Sequence, residues 1–315
     1  MQYHQRQLSQ LGGETIRMKI LLLGKDGQVG RELQRTLLPL GKVVALGRGE
    51  ADLENLSALR DLLEAHTADI IVNAAAYTAV DKAEADEATA SKVNAEAVDL
   101  MAKHAQHSGA LLVQYSTDYV FDGDKPTAYV ETDITNPQSA YGRTKRAGEE
   151  AILRSGCNAL IFRTSWVFSA HGGNFIKTIL RLAKERETLK IVADQHGAPT
   201  SAELIADVTA LAIASYRSHG LTSGIYHLTA AGETSWHGLA CYVVKRALAN
   251  DAKLKLKVEQ ILAIPTETYP LPAKRPKNSR LNTDLLSKIL GLQLPNWEIH
   301  VDRTVDQLTH LEKSA

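Results

Sequence analysis

The chain has 315 residues, of which 44% are hydrophobic and 23% are charged. This balance is ordinary for a globular protein and excludes collagen-like, low-complexity and wholly disordered chains. Lysine plus arginine number 36, as do aspartate plus glutamate, so the basic excess typical of nucleic-acid or membrane-surface binding is missing. The longest aliphatic run has four residues, at 20–23, whereas a membrane helix needs about 20, so we expect no membrane span.

The two cysteines, Cys157 and Cys241, have no CxxC spacing and belong to no His/Cys cluster. Neither a zinc site nor a disulfide framework is therefore indicated. Two thiols fit a reducing compartment, and we expect a cytoplasmic protein. Residues 1–17 are polar and Gln-rich, without the apolar core of a signal peptide, and we interpret them as a disordered extension outside the fold.

Strand-like and helix-like patterns alternate through the first half of the chain. The apolar runs of strand length are 19–23, 42–46, 69–73, 110–115 and 159–163, and the helical patterns between them are 29–38, 53–65 and 86–107. Such alternation predicts βαβ units and an α/β fold with a doubly wound, Rossmann-like parallel sheet. Ligands bind such a sheet beyond the carboxyl ends of its strands.

The alternation loosens after residue 170. Helical patterns cover 175–186 and 202–216, short strand patterns cover 189–192 and 225–228, and Trp236 begins a later helix as a packing residue. We therefore expect a dinucleotide-binding domain over 18–170. A smaller substrate-binding lobe over 171–315 is expected to be partly interleaved with it.

Three glycines, Gly24, Gly27 and Gly30, lie between the first strand and the first helix. In a dinucleotide-binding loop, the first permits a tight turn, the second lets the pyrophosphate approach the backbone, and the third lets the helix pack on the strand. The helix N-terminus then favours phosphate groups. The placement predicts a dinucleotide site, and a purely structural turn is the alternative.

The segment after the second strand bears on the choice of cofactor. NAD-binding folds usually carry an acid there for the ribose 2′-hydroxyl, whereas this chain has Arg48. An arginine can pair with the 2′-phosphate of NADP, so the sequence favours NADPH, with NADH left open. A solvated surface arginine is the alternative. Asp52 and Leu53 follow and are predicted to contact the adenine.

Tyr141 and Lys145 form a YxxxK pattern on one face of a helix that we expect to begin at Asn136 and Pro137. A nearby ammonium favours the phenolate form of a tyrosine, which can then exchange a proton with a substrate oxygen. Thr117 follows the fourth strand and can hydrogen-bond a substrate carbonyl. An isolated YxxxK match would more simply be an exposed tyrosine, but three sheet ends here supply parts of one reaction.

Seven motifs extend this pattern over nearly the whole chain. They are GxxGQxG (24–30), NAAAYTAVDKAE (73–84), YSTDYVFDG (115–123), YGRTK (141–145), RTSWVF (163–168), DQHGAPT (194–200) and RPKNSRL (275–281). Together they resemble the dTDP-4-dehydrorhamnose reductase family of extended short-chain dehydrogenase/reductases.

The resemblance implies a role for each matching residue. Tyr141 is implied as the proton donor, Lys145 as the residue that holds the nicotinamide ribose and tunes the tyrosine, and Thr117 as the hydroxyl on the ketone oxygen. Substrate contacts are implied for Asp118, Tyr141, Trp166, Arg275 and Arg280, the two arginines on the diphosphate. Cofactor contacts are implied for Gly24, Gly27, Gln28, Val29, Gly30, Ala76, Tyr77, Thr78 and Tyr115.

The reaction implied is the NADPH-dependent reduction of the C4 ketone of a dTDP-sugar, dTDP-4-dehydro-6-deoxy-L-mannose, to dTDP-L-rhamnose. Two alternatives stay open: a nucleotide-sugar epimerase or dehydratase of the same fold, and a non-catalytic NADP-binding regulatory subunit. The intact Thr117, Tyr141 and Lys145 argue against the latter. A homodimer is also left open.

Two departures from the family pattern concern charge. Asp26 stands where the family often has threonine, which puts an acid near the pyrophosphate. Some members hold magnesium between subunits through glutamates. Glu32 and Glu203 fall at matching positions but Gln307 occupies the third, and a neutral amide is a weaker ligand for a hard cation. We therefore assign no metal site and leave magnesium open.

Overall fold

The structure is a computed structural model that describes residues 18–313, so the 1–17 extension lies outside the described residues. Its strands, in chain order, are β1 Met18–Leu23, β2 Gly41–Leu46, β3 Ile70–Asn73, β4 Leu111–Thr117, β5 Ala159–Thr164, β6 Val167–Phe168, β7 Leu189–Val192, β8 His196–Gly197, β9 Thr200–Ser201, β10 Gly224–His227, β11 Thr234–Ser235 and β12 Ile261–Ile264. Its helices are α1 Gln28–Thr36, α2 Leu56–Ala65, α3 Val80–Ala85, α4 Glu87–Ser91, α5 Ala97–Ser108, α6 Ala140–Ser155, α7 Phe175–Glu185, α8 Ala202–Arg217, α9 Trp236–Ala249, α10 Asp284–Leu290 and α11 Trp297–Lys313.

Six strands form one parallel sheet in the order β10-β5-β4-β3-β1-β2, which confirms the doubly wound α/β prediction. The chain reverses its direction across the sheet at β1, so the switch point lies between β1 and β3. Ligands bind an open α/β sheet at this point, outside the carboxyl ends of the strands. The topology therefore places a binding crevice beside the glycine loop.

The core lies on both faces of this sheet. Side chains of a strand alternate between faces, so Ile20 and Leu22 pack into one hydrophobic cluster while Leu21 and Leu23 pack into another. Double burial explains why the sheet strands appear as continuous apolar runs in the sequence. The sheet is consequently a rigid base for the loops that follow its strands.

Two helix starts differ from the sequence predictions, and side-chain caps explain them. Helix α2 begins at Leu56 because the Asn55 side chain accepts the Ala58 N–H at 3.1 Å. Helix α6 begins at Ala140 and not near Pro137, because Ser139 accepts the Gly142 N–H at 3.2 Å.

The predicted helix over 86–107 is three elements: α4, a π-helical turn at Lys92–Glu96, and α5. Within the turn, the Asn94 side chain faces inward, accepts the Tyr77 N–H at 2.9 Å and donates to the Tyr77 carbonyl at 3.1 Å. The widened turn thus fixes the loop that follows β3, and π-turns of this kind are frequent at functional sites.

The second half of the chain contributes both to the large sheet and to small two-stranded sheets. Strand β10 pairs with β5 at the sheet edge, and α8 packs against α1. The short pairs β6·β9, β7·β12 and β8·β11 form three separate two-stranded sheets. Within residues 18–313, no helix combines the length and hydropathy needed to cross a bilayer.

Candidate active site

A cavity of about 720 Å³ opens at the carboxyl ends of the central strands. Its volume lies within the range of ligand pockets, roughly 300–1,000 Å³. The sequence-predicted residues that line it are Gly24, Gly27, Gln28, Val29, Arg48, Asp52, Leu53, Ala76, Tyr77, Thr78, Tyr115, Thr117, Asp118, Tyr141, Lys145 and Trp166. Residues from six separate segments thus converge on one crevice.

The glycine loop forms one end of this cavity. Gly24 has a φ of +86°, and a Cβ there would lie 2.6 Å from the Ala75 backbone nitrogen. A Cβ at Gly30 would lie 2.0 Å from the Gly24 carbonyl oxygen. Both positions therefore require glycine. Gly30 packs α1 against the loop and does not line the cavity.

The N-terminus of α1 meets the requirements of a pyrophosphate site. Gly27 is its N-cap and offers no side-chain hydrogen bond, and the first turn carries no acidic residue. The N–H groups of Gln28 and Val29 at this end have no intrahelical partner, and the helix dipole favours an anion there. Asp26 lies against Gly47 at the end of β2, since a Cβ on Gly47 would lie 2.1 Å from its Oδ2.

The part of the cavity beside Arg48 is more acidic than the sequence analysis indicates. Arg48 is exposed, bonds to Glu54 and lies 3.8 Å from Asp52, so carboxylates already accompany it. Lys25 donates to Glu50 at 2.6 Å, and Glu50 also accepts the Gly47 N–H at 2.7 Å. Glu50 and Glu54 are missed by the sequence analysis, because the turn that brings them to Lys25 and Arg48 has no distinctive pattern.

Tyr141 and Lys145 lie one turn apart on α6, facing the end of β4, as predicted. Lys145 is buried and donates a hydrogen bond of 2.6 Å to the Tyr115 carbonyl. The Tyr141 ring packs edge-on against Tyr119, at 5.6 Å between centroids. Thr117 hydrogen-bonds Tyr141, and its Oγ1 also donates to Asp118 Oδ1 at 2.9 Å.

The pKa of Tyr141 shifts in the direction opposite to the sequence prediction. Burial raises the pKa of the Tyr141 phenol, the charge of Asp118 raises it further, and the Thr117 hydrogen bond only partly offsets both. Burial lowers the pKa of Lys145 to about 8, although the Glu149 carboxylate opposes the shift. Tyr141 is therefore a neutral phenol near pH 7, which is the protonation state of a proton donor.

Asp118 is a buried carboxyl group in the wall of the same cavity. Burial raises its pKa to about 6, against hydrogen bonds from Ser279 and Thr117 that lower it. Its Oδ2 has no protein partner, and neither do the hydroxyls of Ser116 and Thr164, which line the cavity on adjacent strands. The wall of the cavity thus holds three buried polar atoms without a protein partner. Ser279, Ser116 and Thr164 have no signal in the sequence beyond their motifs.

Trp166 forms a further part of the wall and is half-buried, whereas Arg275 and Arg280 do not line the cavity. The Arg275 guanidinium pairs with Asp81 at 2.7 Å. Arg280 donates to Glu233 at 3.1 Å and to the Pro126 carbonyl at 2.6 Å. Both arginines attach the C-terminal segment to the rest of the protein, and their contact with a diphosphate stays a prediction.

Magnesium receives no support from the structure. Glu203 pairs with Arg303 at 3.2 Å and lies 3.6 Å from His300, while Glu32 lies 4.0 Å from Arg35. Within residues 18–313, no cluster of three or more His, Cys, Asp or Glu side chains could hold a metal ion.

Comparison with known proteins shows extended similarity. Residues 18–310 match the family model described as the RmlD substrate binding domain. A dTDP-4-dehydrorhamnose reductase of Burkholderia thailandensis is 52% identical over 295 residues, covering 92% of this chain and 99% of that protein.

Two solved structures extend the comparison to the fold. A dTDP-4-dehydrorhamnose reductase from Clostridium acetobutylicum has a TM-score of 0.83 and 36% identity, over 92% of this chain and 99% of that one. One from Bacillus anthracis, in complex with NADP, has a TM-score of 0.82 and 32% identity, over 93% of this chain and all of that one. The chain therefore belongs to the RmlD substrate binding domain family and, within it, to the dTDP-4-dehydrorhamnose reductases.

Proposed function

We propose that this protein reduces the C4 ketone of dTDP-4-dehydrorhamnose to the alcohol of dTDP-L-rhamnose, with NADPH as the reductant, in dTDP-rhamnose biosynthesis. The observation that carries the proposal is the meeting of Thr117, Tyr141 and Lys145 in one cavity that begins at the glycine loop. Relatives named dTDP-4-dehydrorhamnose reductase, one of them solved with NADP, support the substrate and the cofactor.

The side chains divide the work of a carbonyl reduction. Bound NADPH supplies the hydride that reaches C4 of the sugar, and the electron pair of the C=O π bond moves to oxygen. The neutral Tyr141 hydroxyl gives its proton to that oxygen, and Thr117 orients the oxygen by a hydrogen bond. The Lys145 ammonium, one helical turn away, stabilises the phenolate that remains. Alignment of the two reactants can lower the barrier by ~7–11 kcal/mol.

The rest of the cavity divides into a cofactor side and a sugar side. The N–H groups of the α1 terminus would hold the pyrophosphate, and Arg48 would pair with the 2′-phosphate of the adenosine ribose. The segment 76–78 and Tyr115 also line the cavity, where they would contact the cofactor. Asp118 and Trp166 contact the sugar. Arg275 and Arg280 reach the substrate diphosphate only when phosphate oxygens replace their present carboxylate partners.

The decisive experiment mixes purified protein with dTDP-4-dehydrorhamnose and NADPH or NADH and follows the loss of reduced-cofactor absorbance. Stoichiometric consumption of NADPH with formation of dTDP-L-rhamnose is expected. Conversion of the sugar without net loss of NADPH would instead identify an epimerase or dehydratase, and binding of NADPH without turnover a regulatory subunit. The Tyr141→Phe variant is the matched negative control.

A further inference from the structure

Trp166 in the cavity wall is stacked on a second tryptophan, Trp236, the first residue of α9. Their ring centroids lie 3.6 Å apart and their planes differ by 12°. Phe175 packs on Trp236 from the start of α7, at 4.7 Å between centroids. Trp166 lines the cavity and Trp236 does not, so the second indole lies behind the first.

The backbone of Trp166 adopts a conformation that a bulky residue rarely takes. Its φ is 49°, in the left-handed region, and such a conformation persists only where the surrounding structure enforces it. The carbonyl of Trp166 accepts the Thr200 N–H at 3.2 Å. A Cβ on Gly197 would lie 2.8 Å from Cε2 of the Trp166 indole, so the backbone of β8 is in direct contact with the ring.

Trp236 is itself held from two sides. The Ser235 side chain caps α9 by accepting the Gly238 N–H at 3.0 Å, which fixes the first turn. Ser235 and Thr234 form β11, which pairs antiparallel with His196 and Gly197 of β8. Strand β8, which contacts Trp166, is therefore connected through β11 to helix α9, which begins with Trp236.

We propose that Trp236 is a positioning residue for the reductase reaction: it holds the Trp166 indole in place as the sugar-facing wall and acts on the substrate through Trp166. The inference rests on the proposed function and adds a residue to it. An aromatic pair contributes a free energy equivalent to roughly a 2- to 10-fold change in a binding constant. We expect that change in the binding of the sugar nucleotide, because Trp166 is the proposed sugar contact, whereas the proposed cofactor contacts are the α1 N-terminus and Arg48.

The test compares steady-state kinetics of the wild-type protein with Trp236→Leu, Trp236→Phe and the control Tyr242→Leu. Tyr242 lies on the same helix and packs on Trp297 at 4.9 Å, away from Trp166. For Trp236→Leu, we expect the KM for dTDP-4-dehydrorhamnose to rise roughly 2- to 10-fold, with kcat and the KM for NADPH nearly unchanged. Trp236→Phe should recover part of the loss, and the control should retain the wild-type KM.

A double-mutant cycle tests whether Trp236 acts through Trp166. In a Trp166→Leu background, Trp236→Leu should raise the substrate KM no further, because the ring it supports has been removed. Circular dichroism gives a readout independent of activity. The coupled signal of two stacked indoles should disappear equally in Trp166→Phe and Trp236→Phe and persist in Tyr242→Leu.

The outcomes separate this inference from the proposed function. A wild-type protein that leaves NADPH unoxidised in the presence of the keto sugar overturns both. An active wild-type protein overturns only the role of Trp236 if the Trp236→Leu variant keeps the wild-type substrate KM, or if both KM values rise equally. If the Trp236→Leu variant does not fold, the circular dichroism spectrum of Trp236→Phe provides the test. An unchanged coupled signal in that variant disproves the stacking on which the inference depends.

Discussion

The Lys145 ammonium donates a hydrogen bond of 2.6 Å to the Tyr115 carbonyl, which also accepts the Gln114 side-chain N–H at 3.0 Å. A main-chain acceptor at the carboxyl end of β4 therefore fixes the lysine. The position of Lys145 does not depend on Tyr141, whose hydroxyl stays available to Thr117 and to a substrate. This hydrogen bond joins helix α6 to β4 of the sheet, next to the proposed reacting groups.

Replacing Tyr141 by phenylalanine removes the proton donor while preserving the ring that packs on Tyr119. We expect kcat to fall by ~10²-fold or more, the size of a lost general acid, with NADPH binding retained. Stopped-assay turnover and a fluorescence titration of NADPH measure the two effects separately. Wild-type turnover in this variant would remove Tyr141 from the mechanism.

The buried Lys145 should govern the alkaline limb of the pH profile. Its pKa is lowered to about 8, so the ammonium is present below that pH and is lost as pH rises through it. We therefore expect kcat/KM for NADPH, which reports the free enzyme, to decline above about pH 8. In the Lys145→Met variant, kcat/KM for NADPH should be low at every pH and should show no decline near pH 8. A step that persists in the variant belongs to another group.

The buried Asp118 carboxylate should lower the free energy of unfolding. Its pKa is raised to about 6, above the ordinary aspartate value, so burial penalises the ionised form at higher pH and the penalty fades as pH falls through 6. Asp118→Asn should therefore stabilise the fold more at pH 8 than at pH 5, by ~1 kcal/mol. Denaturant unfolding at both pH values measures the difference, and kcat/KM for the sugar should fall in the same variant. An equal effect at both pH values contradicts a buried charge.

Arg48 is expected to discriminate between the two cofactors. Arg48 lines the cavity at the end proposed for the adenosine, so Arg48→Ala should weaken the binding of NADPH more than that of NADH. Asp26→Asn is the complementary change, since loss of a carboxylate from the same end should improve NADPH relative to NADH. KM values for both cofactors in each variant provide the check. Parallel changes would show that neither residue responds to the 2′-phosphate.

The ion pair between Arg163 and Glu149 joins β5 to α6 inside the protein. Both side chains are buried, and two hydrogen bonds of 2.9 and 2.7 Å connect them. Glu149→Ala leaves the guanidinium buried without its carboxylate and should destabilise the fold by about 3–5 kcal/mol. The exposed pair Arg181 and Glu185 is the matched control, and Glu185→Ala should cost ~0.5 kcal/mol or less. Comparable losses from the two variants would contradict this assignment.

The sequence predicts those parts of the fold that depend on local pattern. Buried parallel strands must be apolar on both faces, so runs such as 20–23 are visible in the sequence. The glycine loop is equally visible, because Gly24 and Gly30 leave no room for a side chain. Helix ends are harder to predict from the sequence. Asn136 and Pro137 match a helix start by composition, yet Ser139 provides the cap.

What the sequence does not show are pairings between distant segments and the charges they set. The direction of the Tyr141 pKa depends on burial and on Asp118, and neither follows from the YxxxK spacing. Arg275 appears free to bind phosphate until Asp81, which is distant in sequence, is seen beside it. Trp236 is predicted to pack, but its partner Trp166 becomes known only from the fold.

Strand β10, which completes the edge of the large sheet beside β5, also bears on how the chain is made. During synthesis, the ribosome releases β1 to β5 well before residues 224–227 emerge, and the open side of β5 stays unpaired for that interval. An exposed strand edge invites pairing with another nascent chain. A gene fragment that ends near residue 170 would leave this side of β5 permanently unpaired, so such truncations should yield insoluble protein, whereas fragments that continue past β10 can pair with β5.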